Sequence, residues 1–375
     1  MIFIINITHI ITGLNLGGAE TMLYKLIKNT DRKKYNVEVI SLKDKGIIGP
    51  KIEQLGIKVH VINMKKIPTI NNLFKVRQLI KDAEVVQTWM YHADLIGYLA
   101  TRFKSNMKVL WGIRRTSLNR EENKKSTLLI AKFNALISKK IDKVISCSIA
   151  AKKSHINFGY SKDNMMVIPN GFEMNKLNFN SEARYKIRKK LNIENKKVII
   201  NIGRWNIAKD HKNLIEAYKQ VEDFNTHLIM IGPGITKENI ELINLIKKNN
   251  IKNYSLLGPQ SEITKYLSAA DFYVSSSMSE GFPNVIGEAM ACQLPCVVTD
   301  AGDSSYIVDN TGIIVPIKDS KELSKGIYNM IQLPKKDRLE LGVKARNRIE
   351  ENFDIKVVTE MFEEQYKKIF NLKTK

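Results

Sequence analysis

The chain has 375 residues, of which 43% are hydrophobic and 26% are charged, and these proportions are typical of a folded globular protein rather than a disordered one. Its length predicts two domains of roughly 150–200 residues, and the absence of an apolar run of about twenty residues argues against a membrane-spanning helix. The three scattered cysteines, Cys147, Cys292 and Cys296, exclude a disulfide framework and a zinc site and predict a reducing, cytoplasmic location.

The positive charge is concentrated in the first half of the sequence. Residues 1–180 carry 30 Lys and Arg against 13 Asp and Glu, whereas residues 181–375 carry 30 against 25. Such an excess attracts polyanions, which include nucleic acid, anionic lipid headgroups and phosphorylated substrates. Composition does not distinguish among these three.

The first half alternates strand-like and helix-like segments. Residues 2–7 are predicted to form a buried strand rather than a signal peptide, because they lack a basic leader and a cleavage site and run into a Gly-rich turn. From Gly17 the apolar residues recur at three- and four-residue spacing, which predicts a helix. Further strands are predicted at 37–41, 58–62, 83–87, 108–111 and 142–147.

A polar, Asn-rich stretch at residues 172–197 separates the two halves. Beyond it, strands are predicted at 198–202, 228–231, 254–257, 272–275, 295–298 and 312–315, and an amphipathic helix at the end of the chain. Strands that alternate with helices predict parallel sheets covered on both faces. The expected fold class is therefore α/β, with two doubly wound, Rossmann-like domains facing a central cleft where ligands bind.

The strongest functional signal is residues 279–289, SEGFPNVIGEA. The segment follows a predicted strand, and Pro283 suits the first turn of a helix. Gly281 lets the backbone approach a ligand closely. The free N–H groups around Asn284 and Val285, together with the positive end of the helix dipole, predict an anion site suited to a diphosphate.

Two carboxylates flank this turn. Glu288 shares a helix face with Asn284 and could accept hydrogen bonds from ribose hydroxyls, while Glu280 in the preceding loop would reach the sugar. The alternative is an ordinary strand–loop–helix junction with two solvated glutamates.

These residues resemble the Glu-x7-Glu segment of the retaining GT-B glycosyltransferases of glycosyltransferase family 4 (glycosyl transferase group 1), and the resemblance extends over nearly the whole chain. Gly203-Arg204 followed by Lys209-Asp210-His211 is similar to the family segment whose arginine and lysine hold the donor diphosphate. The resemblance implies catalytic roles for Arg204 and Lys209, which would neutralise the departing diphosphate without a metal ion, and for Glu280, which would orient the sugar. Two ordinary surface cations remain the alternative.

The resemblance also implies a GT-B architecture with domain boundaries. It predicts an acceptor-binding domain at 1–178, a donor-binding domain at 196–355 and a C-terminal helix at 356–375 that crosses back to the first domain. The other donor-binding residues that it implies are Gly17, Gly18, Gly203, Gly232, Gly258, Gly281, Phe282, Pro283, Asn284, Val285 and Glu288. A Gly-rich turn such as residues 13–18 also occurs in other nucleotide folds and in plain turns, although it is not a dinucleotide fingerprint here.

In the resembling family the region around residues 89–95 faces the acceptor, which makes His92 a candidate, although a lone histidine is as often structural. Many relatives carry a histidine on the next strand-end loop, where this chain has Arg114 and Arg115. Either arginine would bind an anionic acceptor group.

Residues 122–143 combine apolar residues with six lysines. This pattern predicts a basic amphipathic helix that contacts an anionic membrane surface. The alternative is a helix that packs its apolar face onto the sheet and leaves its lysines in water.

The sequence therefore predicts a retaining glycosyltransferase. We expect transfer of a hexose or N-acetylhexosamine from a nucleotide-sugar, by family frequency a UDP-sugar, to a lipid-linked or glycan acceptor in the biosynthesis of a bacterial surface polysaccharide such as lipopolysaccharide. No cofactor, no metal and no nucleic-acid partner are expected, and the location is cytoplasmic, peripheral to the inner membrane. The alternatives are a basic nucleic-acid-binding protein and a GT-B relative that binds nucleotide-sugar without transferring it.

Overall fold

The computed structural model describes residues 4–65, 69–102, 107–118, 120 and 123–371. The chain divides into two compact units, one formed by Met1–Gly171 with Ile355–Lys375 and the other by Phe172–Asp354. The first predicted boundary, residue 178, falls inside the second unit. The reason is local, because the N–H of Phe172 donates to the carbonyl of Phe353 (2.8 Å) and its ring packs beside Phe282 within that unit.

The first unit is built on a parallel sheet with the strand order β3-β2-β1-β4-β5-β6-β7. Its strands are β1 (Ile5–Ile11), β2 (Tyr35–Ser41), β3 (Val59–Val61), β4 (Val85–Trp89), β5 (Lys108–Ile113), β6 (Lys143–Ser146) and β7 (Met165–Val167). Its first six helices are α1 (Gly18–Asn29), α2 (Ile48–Glu53), α3 (Ile70–Leu79), α4 (Tyr91–Thr101), α5 (Lys125–Ile137) and α6 (Ile149–Phe158).

Both faces of this sheet are covered by helices, as parallel strands require. Ile7 and Ile11 of β1 point to the side that carries α1 and α2, and Ile10 points to the side that carries α3 and α4. The alternation follows the two-residue repeat of a strand. The helix that was predicted at 122–143 is α5 and is shorter than expected, and residue 122 lies outside the described residues.

The first strand was predicted too early in the chain. It begins at Ile5 and continues to Ile11, while Ile4 is 52% exposed and residues 2 and 3 lie outside the described part. The second half of the strand was not predicted because it contains the polar residues Thr8 and His9, which are buried within the sheet. His9 Nδ1 accepts a hydrogen bond from the indole of Trp89 (3.2 Å), which satisfies part of its polarity.

The second unit is built on a parallel sheet with the strand order β10-β9-β8-β11-β12-β13. Its strands are β8 (Lys197–Ile202), β9 (Thr226–Ile231), β10 (Tyr254–Leu256), β11 (Phe272–Ser275), β12 (Cys296–Thr299) and β13 (Gly312–Val315). Its helices are α7 (Ser181–Leu191), α8 (His211–Lys219), α9 (Ile240–Lys248), α10 (Ile263–Ala269), α11 (Asn284–Ala291), α12 (Ser304–Val308), α13 (Ser320–Gln332) and α14 (Lys335–Phe353).

The Asn-rich stretch predicted to connect the domains contains a helix, α7. Its asparagines mark the ends of that helix: Asn180 accepts a hydrogen bond from the N–H of Ala183, and Asn192 ends the helix in a left-handed conformation. Arg184 and Arg188 anchor α7 to the sheet by pairing with the two carboxylate oxygens of Asp271, each at 2.7 Å.

The final helix, α15 (Ile355–Asn371), belongs to the first unit. Its apolar face packs on the side of the sheet that carries α1, where the ring of Phe362 stacks on Trp89 at 6.3 Å between centroids. The hydroxyl of Tyr366 donates to the Gln87 side chain in the sheet. Across the described residues, no helix combines the length and the apolar composition that spanning a bilayer requires.

Candidate functional site

In the sheet of the second unit, the strands that follow β8 in the chain, β9 and β10, lie on one side of it, and the later strands β11 to β13 lie on the other side. The strand order therefore reverses between β8 and β11. These strands pair over two residues, Phe272 with Ile199 and Tyr273 with Ile200, which are the first two residues of β11 and the middle of β8. One residue farther along each strand, the side-chain amide of Asn201 donates to the carbonyl of Val274 (2.9 Å). In doubly wound sheets, ligands bind beyond the carboxyl ends of the strands at such a switch point.

Two of the predicted catalytic side chains meet at this switch point. The loop after β8 supplies Lys209 and the loop after β11 supplies Glu280, and the two form an ion pair. Ser277 Oγ donates to the same carboxylate oxygen (2.7 Å). The side chains are 24% and 13% exposed, respectively, so the pair is shielded from water but reachable from it. The sequence predicted a role for each residue but not their contact.

A tight local turn fixes the position of Lys209. The side chain of Asn206 accepts from the N–H of Lys209 (3.1 Å), and the hydroxyl of Ser276 donates to its carbonyl (2.8 Å). Asp210 follows in a left-handed conformation (φ 43°) and caps α8. The lysine stem lies against Gly203, where an added Cβ would stand 3.3 Å from its Cδ and Cε. Gly203 therefore leaves room for the lysine.

The third predicted catalytic residue, Arg204, is exposed and makes no hydrogen bond or ion pair with any described residue. It lies in the same loop as Lys209. The binding of the donor diphosphate by Arg204 stays a prediction, and the location of Arg204 in this loop is consistent with it.

The predicted anion site lies at the start of α11. Pro283 occupies the N-cap position, and its side chain makes no capping hydrogen bond to the first turn of the helix. Asn284, Val285 and Glu288 are all partly exposed. Phe282 differs from them, because its ring is only 8% exposed and packs between Phe172 and Phe353. A donor contact of Phe282 would have to come from its backbone.

The loop after β12 supports the loop that carries Glu280. The N–H of Asp303 donates to the carbonyl of Gly281 (3.0 Å). Gly302 has φ 61°, and a Cβ there would lie 2.4 Å from the carbonyl oxygen of Glu280. Only glycine fits this close approach of two backbones.

The predicted glycines at the ends of β9 and β10 join the same edge of the sheet through backbone contacts. Gly232 donates to the carbonyl of Gly258 (2.9 Å), and Gly203 donates to that of Ile231 (2.9 Å). Gly232 has φ 146°, and a Cβ on it would lie 2.2 Å from the carbonyl oxygen of Gly203. Gly232 and Gly258 therefore lie at the carboxyl-end edge of the sheet, where the loop after β8 also carries Lys209.

One residue with no role in the sequence analysis borders the ion pair. His211 is 2% exposed, stacks on Trp205 at 5.2 Å between centroids, and has no hydrogen-bond partner at either ring nitrogen among the described residues. Burial, together with the nearby charge of Lys209, lowers the pKa of His211 to about 4, which keeps the ring neutral. In the sequence, His211 appeared only as the last residue of the Lys209-Asp210-His211 segment, with no role of its own.

The sheet of the first unit has its own switch point between β1 and β4. The loop after β1 contains Gly17, the N-cap of α1, and Gly18, its first residue. After β4, Met90 has φ 75° and ψ 158°, a conformation that glycine alone adopts readily. Its N–H donates to the carbonyl of Gly112 (2.9 Å) and its carbonyl accepts from Asp94 (3.0 Å), which holds the strained turn in place.

This strained turn presents His92, the predicted acceptor residue. His92 is partly buried and makes no hydrogen bond with a described residue. Burial first, and the charge of Lys43 second, lower the pKa of His92 below its usual value. The imidazole is therefore neutral at physiological pH and able to accept a proton or a hydrogen bond.

The structure separates the two arginines that the sequence could not distinguish. The Arg114 guanidinium lies over the rings of Trp89 (4.8 Å) and Phe362 (5.5 Å), and Nη1 donates to Asn170 (3.2 Å). Its Nε and Nη2 are buried without a described partner, and burial lowers the pKa of Arg114. Arg115 is exposed. The side chain of Arg114 is therefore packed against aromatic rings, whereas Arg115 faces solvent.

The described side chains include no group of three or more His, Cys, Asp or Glu arranged to hold a metal ion. The expectation of a metal-free reaction stays a prediction.

Two protein-family models match the chain. "Glycosyltransferase Family 4" matches residues 16–176 and "Glycosyl transferases group 1" matches residues 183–348. Among curated relatives, the chain is 24% identical over 340 residues to the N-acetylgalactosamine-N,N'-diacetylbacillosaminyl-diphospho-undecaprenol 4-alpha-N-acetylgalactosaminyltransferase of Campylobacter jejuni, covering 86% of this chain and 89% of that protein. It is 25% identical to the capsular polysaccharide biosynthesis glycosyltransferase CapM of Staphylococcus aureus, covering 82% and 84%.

A solved structure shares the fold over nearly the whole length. HepE of Anabaena, crystallised in complex with UDP, superposes with a TM-score of 0.84 at 23% identity, covering 97% of this chain and all of that one. The two family models lie largely one on each unit and together span most of the chain, in agreement with the two parallel-sheet domains. The chain therefore belongs to the glycosyltransferases of the GT-B fold and is an enzyme of the family 4 kind.

Proposed function

We propose that this glycosyltransferase moves a hexose or N-acetylhexosamine from a UDP-sugar, with retention of anomeric configuration, to a lipid-linked or glycan acceptor in bacterial surface polysaccharide assembly. The observation that carries the proposal is the Lys209–Glu280 ion pair at the β8/β11 switch point, next to the start of α11. A nucleotide diphosphate fits a cation beside helix N–H groups. The UDP in the HepE crystals supports the choice of base, and the names of the Campylobacter and CapM relatives support the choice of pathway.

In the proposed reaction, the acceptor hydroxyl oxygen bonds to the anomeric carbon on the face from which the diphosphate leaves. The bond between that carbon and the phosphate oxygen breaks, and its electron pair stays with the diphosphate. The departing oxygen takes the proton of the hydroxyl. Lys209, Arg204 and the α11 N–H groups stabilise the growing negative charge, which is usually the largest catalytic contribution.

Glu280 has two proposed tasks. Its carboxylate holds the ammonium of Lys209 at the switch point before the donor arrives, and it accepts hydrogen bonds from hydroxyls of the sugar. Glu288, one helical turn after Asn284, accepts hydrogen bonds from the ribose. No covalent bond to Glu280 is proposed.

The acceptor side of the proposal rests on the first unit. His92 would take a hydrogen bond from the acceptor hydroxyl as a neutral imidazole, and Arg115 would bind an anionic group such as a phosphate. A lipid-linked acceptor places the enzyme on the cytoplasmic face of the inner membrane as a peripheral protein. The excess of basic residues in residues 1–180 supports attraction to that anionic surface.

The test combines donor binding with product detection. A thermal-shift series with UDP-, GDP-, ADP- and TDP-sugars should show the largest rise in melting temperature with a UDP-sugar, because a ligand that binds only the folded state stabilises it. Mass spectrometry of the product and the anomeric coupling constant in its NMR spectrum then test transfer and retention. Binding without transfer to any lipid-linked or glycan acceptor would instead support a nucleotide-sugar-binding relative.

Arg204→Ala and Glu288→Ala probe the donor site, and Lys212→Ala is the matched control. Lys212 is a cation on neighbouring α8 whose side chain is 70% exposed and paired only loosely with Glu216 (3.8 Å). We expect the first two variants to lower kcat/KM at least about tenfold and the control to behave like the parent. Unchanged kinetics in both site variants would remove those roles.

A further inference from the structure

Two buried side chains connect the elements on either side of the turn that presents His92. Thr88, near the end of β4, donates its hydroxyl to the carboxyl of Asp94, in the first turn of α4. Both side chains are 0% exposed. An added Cβ on Gly97, three residues after Asp94, would stand 2.4 Å from Cγ2 of Thr88, so the strand and the helix are in close contact here. The carboxyl of Asp94 therefore joins the end of β4 to the beginning of α4.

The same carboxyl faces the neighbouring strand β5. Burial raises the pKa of Asp94 to about 7, and the Thr88 hydroxyl and the backbone N–H of Gly112 oppose that rise, which places this N–H beside the carboxyl. The carbonyl of Gly112 accepts the N–H of Met90, and the carbonyl of Met90 accepts the N–H of Asp94. Met90, Gly112 and Asp94 thus form a closed ring of contacts around the residue with φ 75°.

Side chains from two further helices hold the next residue, Tyr91. The amide of Asn134 on α5 donates to the carbonyl of Tyr91 (2.9 Å), and the hydroxyl of Tyr91 lies 2.9 Å from Nε2 of His155 on α6. Nδ1 of His155 lies 2.7 Å from the carbonyl of Ala151, which can only accept, so Nδ1 carries the proton and Nε2 accepts from Tyr91. The side chains of Asn134 and His155 are buried. The two residues before His92 are therefore both held by hydrogen bonds to buried groups.

The arrangement of residues 88–94 has an energetic cost. A buried carboxyl loses its hydration, and a residue other than glycine at φ 75° is strained. Such strain is maintained only where the surrounding contacts over-determine the backbone, and it is concentrated at binding and catalytic sites. His92 itself is partly buried and makes no hydrogen bond with a described residue. Rigid neighbours beside an uncommitted imidazole indicate that the neighbours orient His92 toward a ligand.

We propose that Asp94 is a positioning residue for the acceptor half of the reaction. Its carboxyl fixes the end of β4 through Thr88 and the start of α4 through its own helix, and so directs the imidazole of His92 toward the acceptor hydroxyl. Asp94 acts through His92 and touches neither substrate, because it is fully buried. The inference deepens the proposed function and rests on its assignment of His92 to the acceptor. A carboxyl that serves only the fold would instead stabilise the unit and leave the orientation of His92 unchanged.

The test replaces Asp94 by leucine and by asparagine in the full chain. Leucine has a similar volume but cannot accept a hydrogen bond from Thr88. Asp94→Leu should therefore lower kcat/KM for the acceptor about ten- to a hundredfold, the loss expected when a catalytic group is displaced by about 1 Å, while the Kd for UDP stays unchanged. Asp94→Asn keeps an oxygen that accepts from Thr88 and should stay within about threefold of the parent.

Asp142→Leu is the matched control. Asp142 accepts the N–H of Val109 (2.9 Å) near the amino end of β5, whereas Gly112 lies near the carboxyl end of that strand. The control therefore also removes a carboxylate acceptor from β5, but at the end away from the turn. It should lower the free energy of unfolding and leave kcat/KM for the acceptor at the parent value.

A double-mutant cycle with His92→Ala shows whether Asp94 acts through His92. His92→Ala should lower kcat/KM for the acceptor, and adding Asp94→Leu should then change it little, because the group that Asp94 positions is already gone. Equal fractional losses from Asp94→Leu with and without His92 would overturn the proposal. So would an Asp94→Asn variant as slow as Asp94→Leu, or an unchanged kcat/KM in His92→Ala.

NMR titration of the His92 ring, assigned by its absence in His92→Ala, supplies a readout that needs no turnover. Burial first, and the charge of Lys43 second, lower the pKa of His92 in the parent. If Asp94 fixes the position of this ring, the pKa of His92 should rise toward its ordinary value in Asp94→Leu and stay low in Asp142→Leu. An unchanged pKa in Asp94→Leu would overturn the positioning role.

These measurements separate the inference from the proposed function. A parent that binds UDP but transfers no sugar contradicts the proposed function, and the titration of His92 still decides whether Asp94 orients the ring. If Asp94→Leu does not fold, Thr88→Val removes the same hydrogen bond from its other side and replaces that variant in both measurements.

Discussion

Replacing Lys209 by methionine removes the cation of the ion pair and keeps the aliphatic stem that lies on Gly203. Among the described residues, the carboxylate of Glu280 then keeps only Ser277 as a hydrogen-bond donor. Exposed pairs contribute about 0–1 kcal/mol and breaking buried ones costs about 3–5 kcal/mol. This pair, 24% and 13% exposed, lies between those limits. We therefore expect the free energy of unfolding to fall by about 1–2 kcal/mol.

The effect on transfer should be larger than the effect on stability. Loss of one group that stabilises developing negative charge typically lowers turnover by about 10²–10³. Lys209→Met should show that loss in steady-state kinetics with a UDP-sugar and should bind UDP more weakly by titration calorimetry. Glu280→Gln should bind UDP at least as tightly as the parent, because the carboxylate no longer competes for the ammonium.

The double variant Lys209→Met/Glu280→Gln separates the two roles of the pair. It removes both charges, so urea unfolding should recover most of the stability lost in Lys209→Met. Turnover should stay low. Recovery of turnover together with stability, or normal turnover in Lys209→Met alone, would show that the pair serves the fold and would refute its role in binding the diphosphate.

Three further predictions concern residues around the two switch points. Burial raises the pKa of Asp94 from 3.8 to about 7, so the folded carboxyl keeps a proton that the unfolded chain releases. The free energy of unfolding should therefore fall as the pH rises between these two pKa values, by at most about 4 kcal/mol. Asp94→Asn should flatten this decline when the free energy of unfolding in urea is measured over a series of pH values. Parallel curves for the variant and the parent would contradict the raised pKa. Met90→Gly should be about 1–3 kcal/mol more stable than Met90→Ala in the same assay, because only glycine relaxes at φ 75°; the opposite order would show that the turn is not strained. Gly287→Ala should lower the free energy of unfolding by about 1–3 kcal/mol, since its Cβ would stand 2.1 Å from the ring of Phe172. A neutral or stabilising result by calorimetry would mean that the ring moves freely.

The strands were predictable where apolar residues run without interruption. β11 and β13 have the bounds that the sequence predicted, because Phe272–Ser275 and Gly312–Val315 carry mostly β-forming residues next to turn signals. β1 was misplaced because Thr8 and His9 are buried polar residues. Helix α7 was missed because its asparagines were interpreted as a connection and serve instead as caps.

The site was predictable as a set of residues but not as a set of contacts. Lys209 and Glu280 are 71 residues apart in sequence, and their meeting depends on β11 lying beside β8 in the sheet. Arg114 is a similar case. Its burial depends on Phe362, which α15 supplies from the far end of the chain, and no local pattern around Arg114 indicates that contact. Local sequence patterns indicate which residue types are present. These contacts depend instead on the order of the strands in the sheet and on the packing of the last helix against the first unit.

The placement of α15 has a consequence for biosynthesis. The side of the first unit's core that carries α1 and α2 stays incomplete until α15 is available, because Trp89 and Tyr35 pack against aromatic residues of that helix. The ribosome releases α15 only after all of Phe172–Asp354, which is continuous in sequence. The second unit can therefore finish folding while the first still waits with aromatic side chains uncovered, the reverse of the usual order in which domains mature on the ribosome.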